Sequence, residues 1–432
     1  MNIRDSEFVM GLMLDDGYKR AGSAEDADVI LFNSCSVRQH AEDRLFSNIS
    51  DLKKLKKRKP EIVIGLMGCT AQEHKDNILR KIPLVDLVCG PGNEVDLPRL
   101  IKDVVKNRCP IIAADKVNEL RPEKFPEYRE GGFKAFVSIG EGCNNFCSYC
   151  IVPYVRGAER SRDAKDIIKE VKDLAARGFK EITLLGQNVN SFKLKTYNLK
   201  LTTSNRANDF VRLLEALNKI KGIERIRFMT SHPKDASTEL FEAMRDLEKV
   251  CEHLHLPLQS GSDRILKLMN RGYNAAHYLK LSESYRKIVH GGSITTDVIV
   301  GFPSEREADF KKTVEMMETV RFESAFMFKY SPRPPAKSAR LKDDVPADVK
   351  QRRLQKILDL QCKISEEYNK SLVGATVEAL SDTFHAKDKS LITGRTRTNR
   401  ITLFDGDKDC IGSLVNVKIG SATPHALKGR RV

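Results

Sequence analysis

Apolar positions in the first hundred residues switch between two spacings. In SEFVMGLMLDDGYKR (6–20), Phe8, Val9, Leu12 and Met13 recur on one helical face, and Ser6 is placed to cap it. ADVILFNSC (27–35) is instead a continuous apolar run ending in polar residues, as in a strand buried on both faces. A helix carrying the basic run KKLKKRKP (53–60) follows. Then come a second strand, EIVIGLMGC (61–69), another helix and a third strand, VDLVCG (85–90). This alternation predicts an open α/β domain over residues 1–110.

From 129 to 365 the alternation continues on a larger scale. Strands are expected at 134–140, 181–189, 224–231, 253–259, 295–302 and 325–331, separated by amphipathic helices such as DAKDIIKEVKDLAARG (163–178) and ADFKKTVEMMETV (308–320). Six β/α units suggest a partial (β/α)6 barrel with its chemistry at the C-terminal strand ends. The polar stretch 191–209 has no core pattern and reads as a long surface loop. SPRPPAKSAR (331–340) breaks regular structure with three prolines, and a helix is expected near 347–370. Beyond it, short β-rich segments separated by Gly, Asp and Lys predict a small β-barrel over 368–432, a module that often binds nucleic acid. In it Arg395, Arg397 and Arg400 form either a solvated strand face or a set of phosphate contacts.

Charge adds a direction to this outline. The 432 residues carry 74 Lys+Arg against 59 Asp+Glu, a net +15 that favours polyanionic partners, nucleic acid first. No apolar run approaches the roughly 20 residues of a membrane span, and the N-terminus lacks a signal-peptide core, which places the chain in the cytoplasm. In that reducing compartment the ten cysteines are better read as metal ligands or catalytic thiols than as disulfides.

Three of them cluster. EGCNNFCSYC (141–150) sets Cys143, Cys147 and Cys150 in a C-x-x-x-C-x-x-C pattern after the first barrel strand. A structural zinc site usually has four ligands, whereas three thiolates can hold three corners of a [4Fe-4S] cube and leave the fourth iron open to substrate. With Tyr149 before the last cysteine, the pattern resembles the radical S-adenosylmethionine (SAM) superfamily. NSCSVR (33–38), GCTAQE (68–73), VPYVRGAERSR (152–162), LLGQNVNSF (184–192), TSHPKD (230–235), LPLQSGSDRILKLMNRGY (256–273), TDVIVGFPSE (296–305) and FKYSPRP (328–334) narrow the resemblance to the MiaB family of methylthiotransferases.

The resemblance implies an N-terminal methylthiotransferase domain, a radical SAM core and a C-terminal TRAM domain. It implies methylthiolation of carbon 2 of N6-(dimethylallyl)adenosine in tRNA, two [4Fe-4S] clusters and SAM, with tRNA, an electron donor such as a flavodoxin or ferredoxin, and a sulfur source as partners. The C2–H bond of adenine is not open to ordinary acid/base chemistry, so a radical from a cofactor suits the task. A related branch acts on threonylcarbamoyladenosine, and an iron–sulfur RNA-binding protein without turnover is the non-enzymatic alternative.

The family's second cluster uses three cysteines at three strand ends, of which Cys35 and Cys69 match. Met1-Asn2 resembles the end of a motif whose cysteine lies just upstream, so the first strand and first ligand are expected before Met1, unless the chain is a shortened variant. Cys89, ending the third strand, is either a substitute ligand or a small buried apolar residue. Cys109, Cys251, Cys362 and Cys410 are isolated and read as structural. Gln187, Ser231, His232, Gln259 and Asp297 fall at strand ends, where each either faces SAM or holds a loop, and Gly301-Phe302-Pro303 resembles the segment that packs on its adenine. Arg156 and Arg162 either neutralise SAM or RNA charge or pair with Glu159.

Overall fold

The computed structural model describes residues 1–36, 39–75, 77–115, 128–194 and 208–432. Most of the loop expected at 191–209 lies outside them. The chain divides into two compact units: residues 1–130, 140–161 and 333–339 form the first, and 131–139, 162–332 and 340–432 the second.

The first unit is built on a parallel sheet in the order β1 (Val29–Ser34), β2 (Val63–Gly68), β3 (Leu87–Cys89), β4 (Ile111–Ala113). Alternate β2 side chains feed opposite faces. Val63 and Met67 pack with Phe8, Val9 and Met13 of helix Asn2–Asp15 and with helix Leu97–Asn107. Ile64 and Leu66 pack with Leu45, Ile49, Ile78 and Ile82. Burial on both faces explains why these strands read as unbroken apolar runs. The first helix runs from Asn2 to Asp15, shifted N-terminally from the 6–20 pattern, with Met1 and not Ser6 at its cap. β4, with three residues, is too short to leave a pattern.

In the second unit, parallel strands β5 (Lys134–Ser138), β6 (Glu181–Leu185) and β7 (Arg225–Phe228) are joined through an Ile226–Val250 bridge to β8 (His253–His255), β9 (Ser293–Val300) and β10 (Ser324–Lys329). These are the six predicted strands of the partial barrel. Its helices start where the sequence supplies caps: Asp163, Asn208, Ser237 and Asn274 each accept a backbone N–H. The 24-residue helix Ala347–Lys370 leads to a closed barrel of β11 (Thr376–Phe384), β12 (Leu391–Thr396), β13 (Ile401–Asp405), β15 (Leu427–Arg431) and β14 (Leu414–Ala422).

This barrel is bolted to the N-terminal rim of the parallel sheet. Arg227 Nε donates to Glu181 (2.9 Å), while its Nη1 and Nη2 donate to the carbonyls of Arg397 (2.8 Å) and Thr396 (2.7 Å). Arg225 reaches the Arg395 carbonyl (2.8 Å) and Glu378 (2.6 Å), and Lys134 pairs with Asp382 (2.7 Å). From the other side Arg397 grips Glu252 through Nε (2.8 Å) and Nη2 (2.7 Å), and Arg400 donates to Asn369 (2.5 Å). Arg397 and Arg400 thus fasten the barrel to the core, which is neither of the two roles expected of them, while the half-exposed Arg395 turns back onto Asn399 (3.2 Å). Replacing Arg227 with Met leaves the buried Glu181 carboxylate with only Arg225, 4.0 Å away. The expected cost is about 3 kcal/mol, at the low end for a broken buried pair. A fall in the thermal unfolding midpoint checks it; a midpoint equal to wild type would show that Arg225 alone compensates.

Candidate active site

In the first unit, the two-residue antiparallel strands Gly140–Glu141 and Arg160–Ser161 close a loop that presents the three cysteines. Gly142 sits at φ +78°, and a Cβ there would lie 2.0 Å from the Ala158 carbonyl oxygen, so only glycine lets the two limbs approach. Cys143 N–H donates to the Gly157 carbonyl (3.2 Å) and Cys150 N–H to that of Cys147 (2.9 Å), which fixes both ends of the set. Half-buried Tyr149 follows Ser148, whose carbonyl accepts from Ser338 N–H (2.7 Å). Burial pushes the Cys143 thiol up, and neighbouring Cys147 pushes the same way. A bound cation displaces the thiol proton and takes the thiolate as its ligand, so a three-sulfur donor set suits iron.

Cys35 follows β1 and Cys69 begins the helix after β2. Burial raises the Cys69 thiol against the pull of Arg156, whose Nε lies 3.3 Å from its sulfur. Arg156 Nη2 also donates to Asp5 (2.5 Å). Arg156 is therefore a buried internal cation and Arg162 pairs with Glu170 (2.7 Å), so neither meets Glu159. The proximity of Arg156 to Cys69 is a contact that sequence spacing could not reveal. Cys89 is fully buried and its thiol donates to the Gly90 carbonyl (3.6 Å). Burial, with Glu94 and Asp96, pushes it well above its ordinary value, as for a small residue packed in an apolar core.

In the second unit, backbone bonds stitch consecutive strand exits together. Val189 N–H donates to Thr230 (3.0 Å), Ser231 to His255 (3.2 Å) and Gln259 to Asp297 (2.8 Å). This row holds Gln187, Ser231, His232 and Gln259, each with one buried polar atom that has no hydrogen-bond partner among the described residues: Gln187 Oε1, Ser231 Oγ, His232 Nε2 and Gln259 Oε1. Gln259 takes φ +66°, uncommon for a side chain with a Cβ and typical of ligand-holding positions. Orphaned buried polar atoms are rare unless a ligand satisfies them, so these residues fit a polar cofactor. Asp297, within β9, lies 3.5 Å from His255 Nε2, and His255 Nδ1 meets Thr295 Oγ1 (3.0 Å). Gly301 leaves β9 at φ +70°, where a Cβ would lie 2.3 Å from Lys350 Cγ. Its N–H donates to Glu305 (2.7 Å), which Arg353 holds (2.8 Å). Phe302 is buried against Tyr330.

Known proteins match this layout throughout. The radical SAM superfamily model covers residues 137–317, the uncharacterized protein family UPF0004 residues 1–90 and the TRAM domain residues 370–432. A tRNA-2-methylthio-N(6)-dimethylallyladenosine synthase from Thermoanaerobacter sp. (strain X514) is 46% identical over 434 residues, covering 100% of this chain and 90% of the relative. The chain belongs to this synthase family. Another member, from Syntrophomonas wolfei subsp. wolfei, is 46% identical over 99% of this chain and 95% of its own. Among solved structures, the radical SAM methyltransferase TsrM from Kitasatospora setae, with cobalamin and a [4Fe-4S] cluster bound, aligns with 90% of this chain and 72% of its own at TM-score 0.52 and 12% identity, a likeness of fold. Membership of the synthase family implies SAM and a [4Fe-4S] cluster, which the loop thiols and the orphaned strand-end atoms fit.

One further group was not legible in the sequence. His74 Nε2 lies 2.5 Å from Glu42, whose other oxygen accepts from Arg333 Nη1 (2.9 Å). Burial would raise the Glu42 carboxyl, but His74 and Arg333 outweigh it and hold it below its usual range. Arg333 thus already supplies the cluster with a protein cation. For the thiols, the synthase should bind as much iron per chain with Cys89→Ala as without it after anaerobic reconstitution. A clear loss of iron would make Cys89 a ligand.

Proposed function

We propose that this protein transfers a methylthio group to carbon 2 of N6-(dimethylallyl)adenosine at position 37 of tRNA, giving 2-methylthio-N6-(dimethylallyl)adenosine. The observation that carries this reading is the loop of Cys143, Cys147 and Cys150, tied at Gly157 and offering three thiols from one turn of chain. Full-length similarity to synthases of that name supports the substrate. A [4Fe-4S] cluster would be held by these three thiols and, with SAM bound, would supply one-electron radical chemistry.

The chain's own residues then have distinct tasks. Cys143, Cys147 and Cys150 hold iron. Tyr149, beside Cys150, is assigned with Gln187, Ser231 and Gln259 to SAM, the last three offering hydrogen bonds that no described residue uses. Asp297 presents a carboxylate beside His255, and Gly301 admits the close chain approach that Glu305 and Arg353 hold. Cys35 and Cys69 are assigned to a second cluster whose remaining ligand lies outside the set Cys35, Cys69 and Cys89. An electron donor such as a flavodoxin or ferredoxin, and a sulfur source, complete the reaction. No helix among the described residues is long and apolar enough to cross a membrane, and a tRNA substrate puts the work in the cytoplasm.

The C-terminal barrel is assigned to tRNA. On its outer face exposed Lys418 lies directly opposite exposed Arg430, with Lys428 also exposed on the same strand pair. Like charges set opposite each other across strands destabilise a sheet unless a polyanion satisfies them.

Three measurements test the reading. Cys150→Ala should abolish 5′-deoxyadenosine release on reduction. Nucleoside mass spectrometry of tRNA treated with wild-type protein should show the 2-methylthio product; a 2-methylthio derivative of threonylcarbamoyladenosine instead would move the protein to the related branch. Changing Lys418, Lys428 and Arg430 to Gln should weaken tRNA binding at every sequence and flatten its log–log salt dependence by roughly 0.7–0.9 per lost phosphate contact. An unchanged slope would remove this face from the interface.

A further inference from the structure

Most polar groups around the strand exits of the second unit are bonded within the protein. Asn188 donates to Asp235 (2.7 Å), and Asn190 donates to the His232 carbonyl (3.1 Å). Both asparagine side-chain oxygens accept the His232 N–H, at 3.1 and 2.9 Å. Of the four orphaned atoms, three are chemically adaptable. A glutamine amide can be turned end for end and a serine hydroxyl rotates, so each accepts or donates as needed.

His232 is different, because its tautomer is fixed. It caps the single 3-10 turn Pro233–Asp235, and its Nδ1 accepts the Lys234 N–H at 3.2 Å. A neutral imidazole whose Nδ1 carries the lone pair carries its proton on Nε2. Tyr273 holds the ring edge-on, with centroids 5.8 Å apart. Burial first, and then Arg271 and Lys234, depress its pKa to about 2, so the ring is neutral under working conditions. The outcome is one N–H donor of defined direction on a residue only 6% exposed, with no acceptor among the described residues.

We propose that His232 is a positioning residue that donates its Nε2–H to a ring nitrogen of an adenine. The proposal rests on the function above, in which SAM and the target nucleoside each bring an adenine to the site. Adenine ring nitrogens are uncharged acceptors, and a neutral donor orients them without protonating the base. The flanking Ser231 hydroxyl and Gln259 amide can meet other edges of the same ligand.

The test uses two substitutions that separate the two ring nitrogens. Asn places an oxygen near the position of Nδ1, so His232→Asn keeps the cap on Lys234 while removing the Nε2 donor. Gln places an amide near the position of Nε2, so His232→Gln restores a donor. Equilibrium binding of SAM and of 5′-deoxyadenosine to the reconstituted protein is measured alongside KM for tRNA bearing N6-(dimethylallyl)adenosine, with thermal midpoints and iron content as controls. His232→Asn should keep wild-type midpoint and iron while losing about tenfold in one ligand, the scale of one hydrogen bond, and His232→Gln should recover part of it. Loss for both SAM and 5′-deoxyadenosine identifies the cofactor's adenine, and loss confined to tRNA identifies the target base. The proposal is overturned if SAM weakens while 5′-deoxyadenosine does not, since the acceptor is then on the amino-acid part, or if neither ligand changes. Absence of 2-methylthio product from the wild-type protein would count against the function alone, because the SAM arm still reads His232.

Discussion

A parallel strand paired into a sheet and covered on both faces has one place left for chemistry, the loop that leaves its C-terminal end. Both units obey this constraint. Cys35 and Cys69 leave β1 and β2; Gln187, Ser231, Gln259 and Gly301 follow β6, β7, β8 and β9. The fold thereby exposes thiols and amides without interrupting a ladder. It also explains why the second unit is stitched across its exits, Val189 to Thr230 and Ser231 to His255: without those bonds the loops would be free to wander.

The opposite ends of the second unit's strands do different work. There Glu181, Arg225, Arg227 and Glu252 join guanidinium, carboxylate and carbonyl into a continuous fastening for the C-terminal barrel. Buried ion pairs contribute little net stability over an apolar contact, but they tolerate few alternative arrangements. The barrel is thus fixed in orientation at one rim, while the opposite rim carries Gln187, Ser231, His232 and Gln259.

The sequence made the elements legible because period and burial coincide in them. Val63 to Leu66 alternate between two cores, and the six barrel strands lie where apolar runs lie. The loop cysteines were legible because their spacing is local. Long-range polar partnerships were not. Nothing in VPYVRGAERSR announces that Arg156 turns inward to Asp5 and Cys69, 151 and 87 residues away, nor that Arg397 would bind Glu252 and leave no charge for phosphate. Hydropathy ranks an arginine as exposed, and only a carboxylate brought near by the fold reverses that. The strand-end residues fell between these cases: their positions were legible, but the vacant hydrogen-bonding atom on each required coordinates.

The first unit is discontinuous along the chain, and its last piece, Arg333–Ala339, supplies Arg333 to Glu42 and Ser338 to Ser148. A ribosome builds the chain from the other end. A nascent polypeptide that has reached residue 332 already contains Cys35, Cys69 and all three loop thiols, yet its Glu42 lacks its cation and the cysteine loop lacks a backbone anchor. The unit that bears these five cysteines begins first and closes only after nearly the whole parallel-stranded core has been translated.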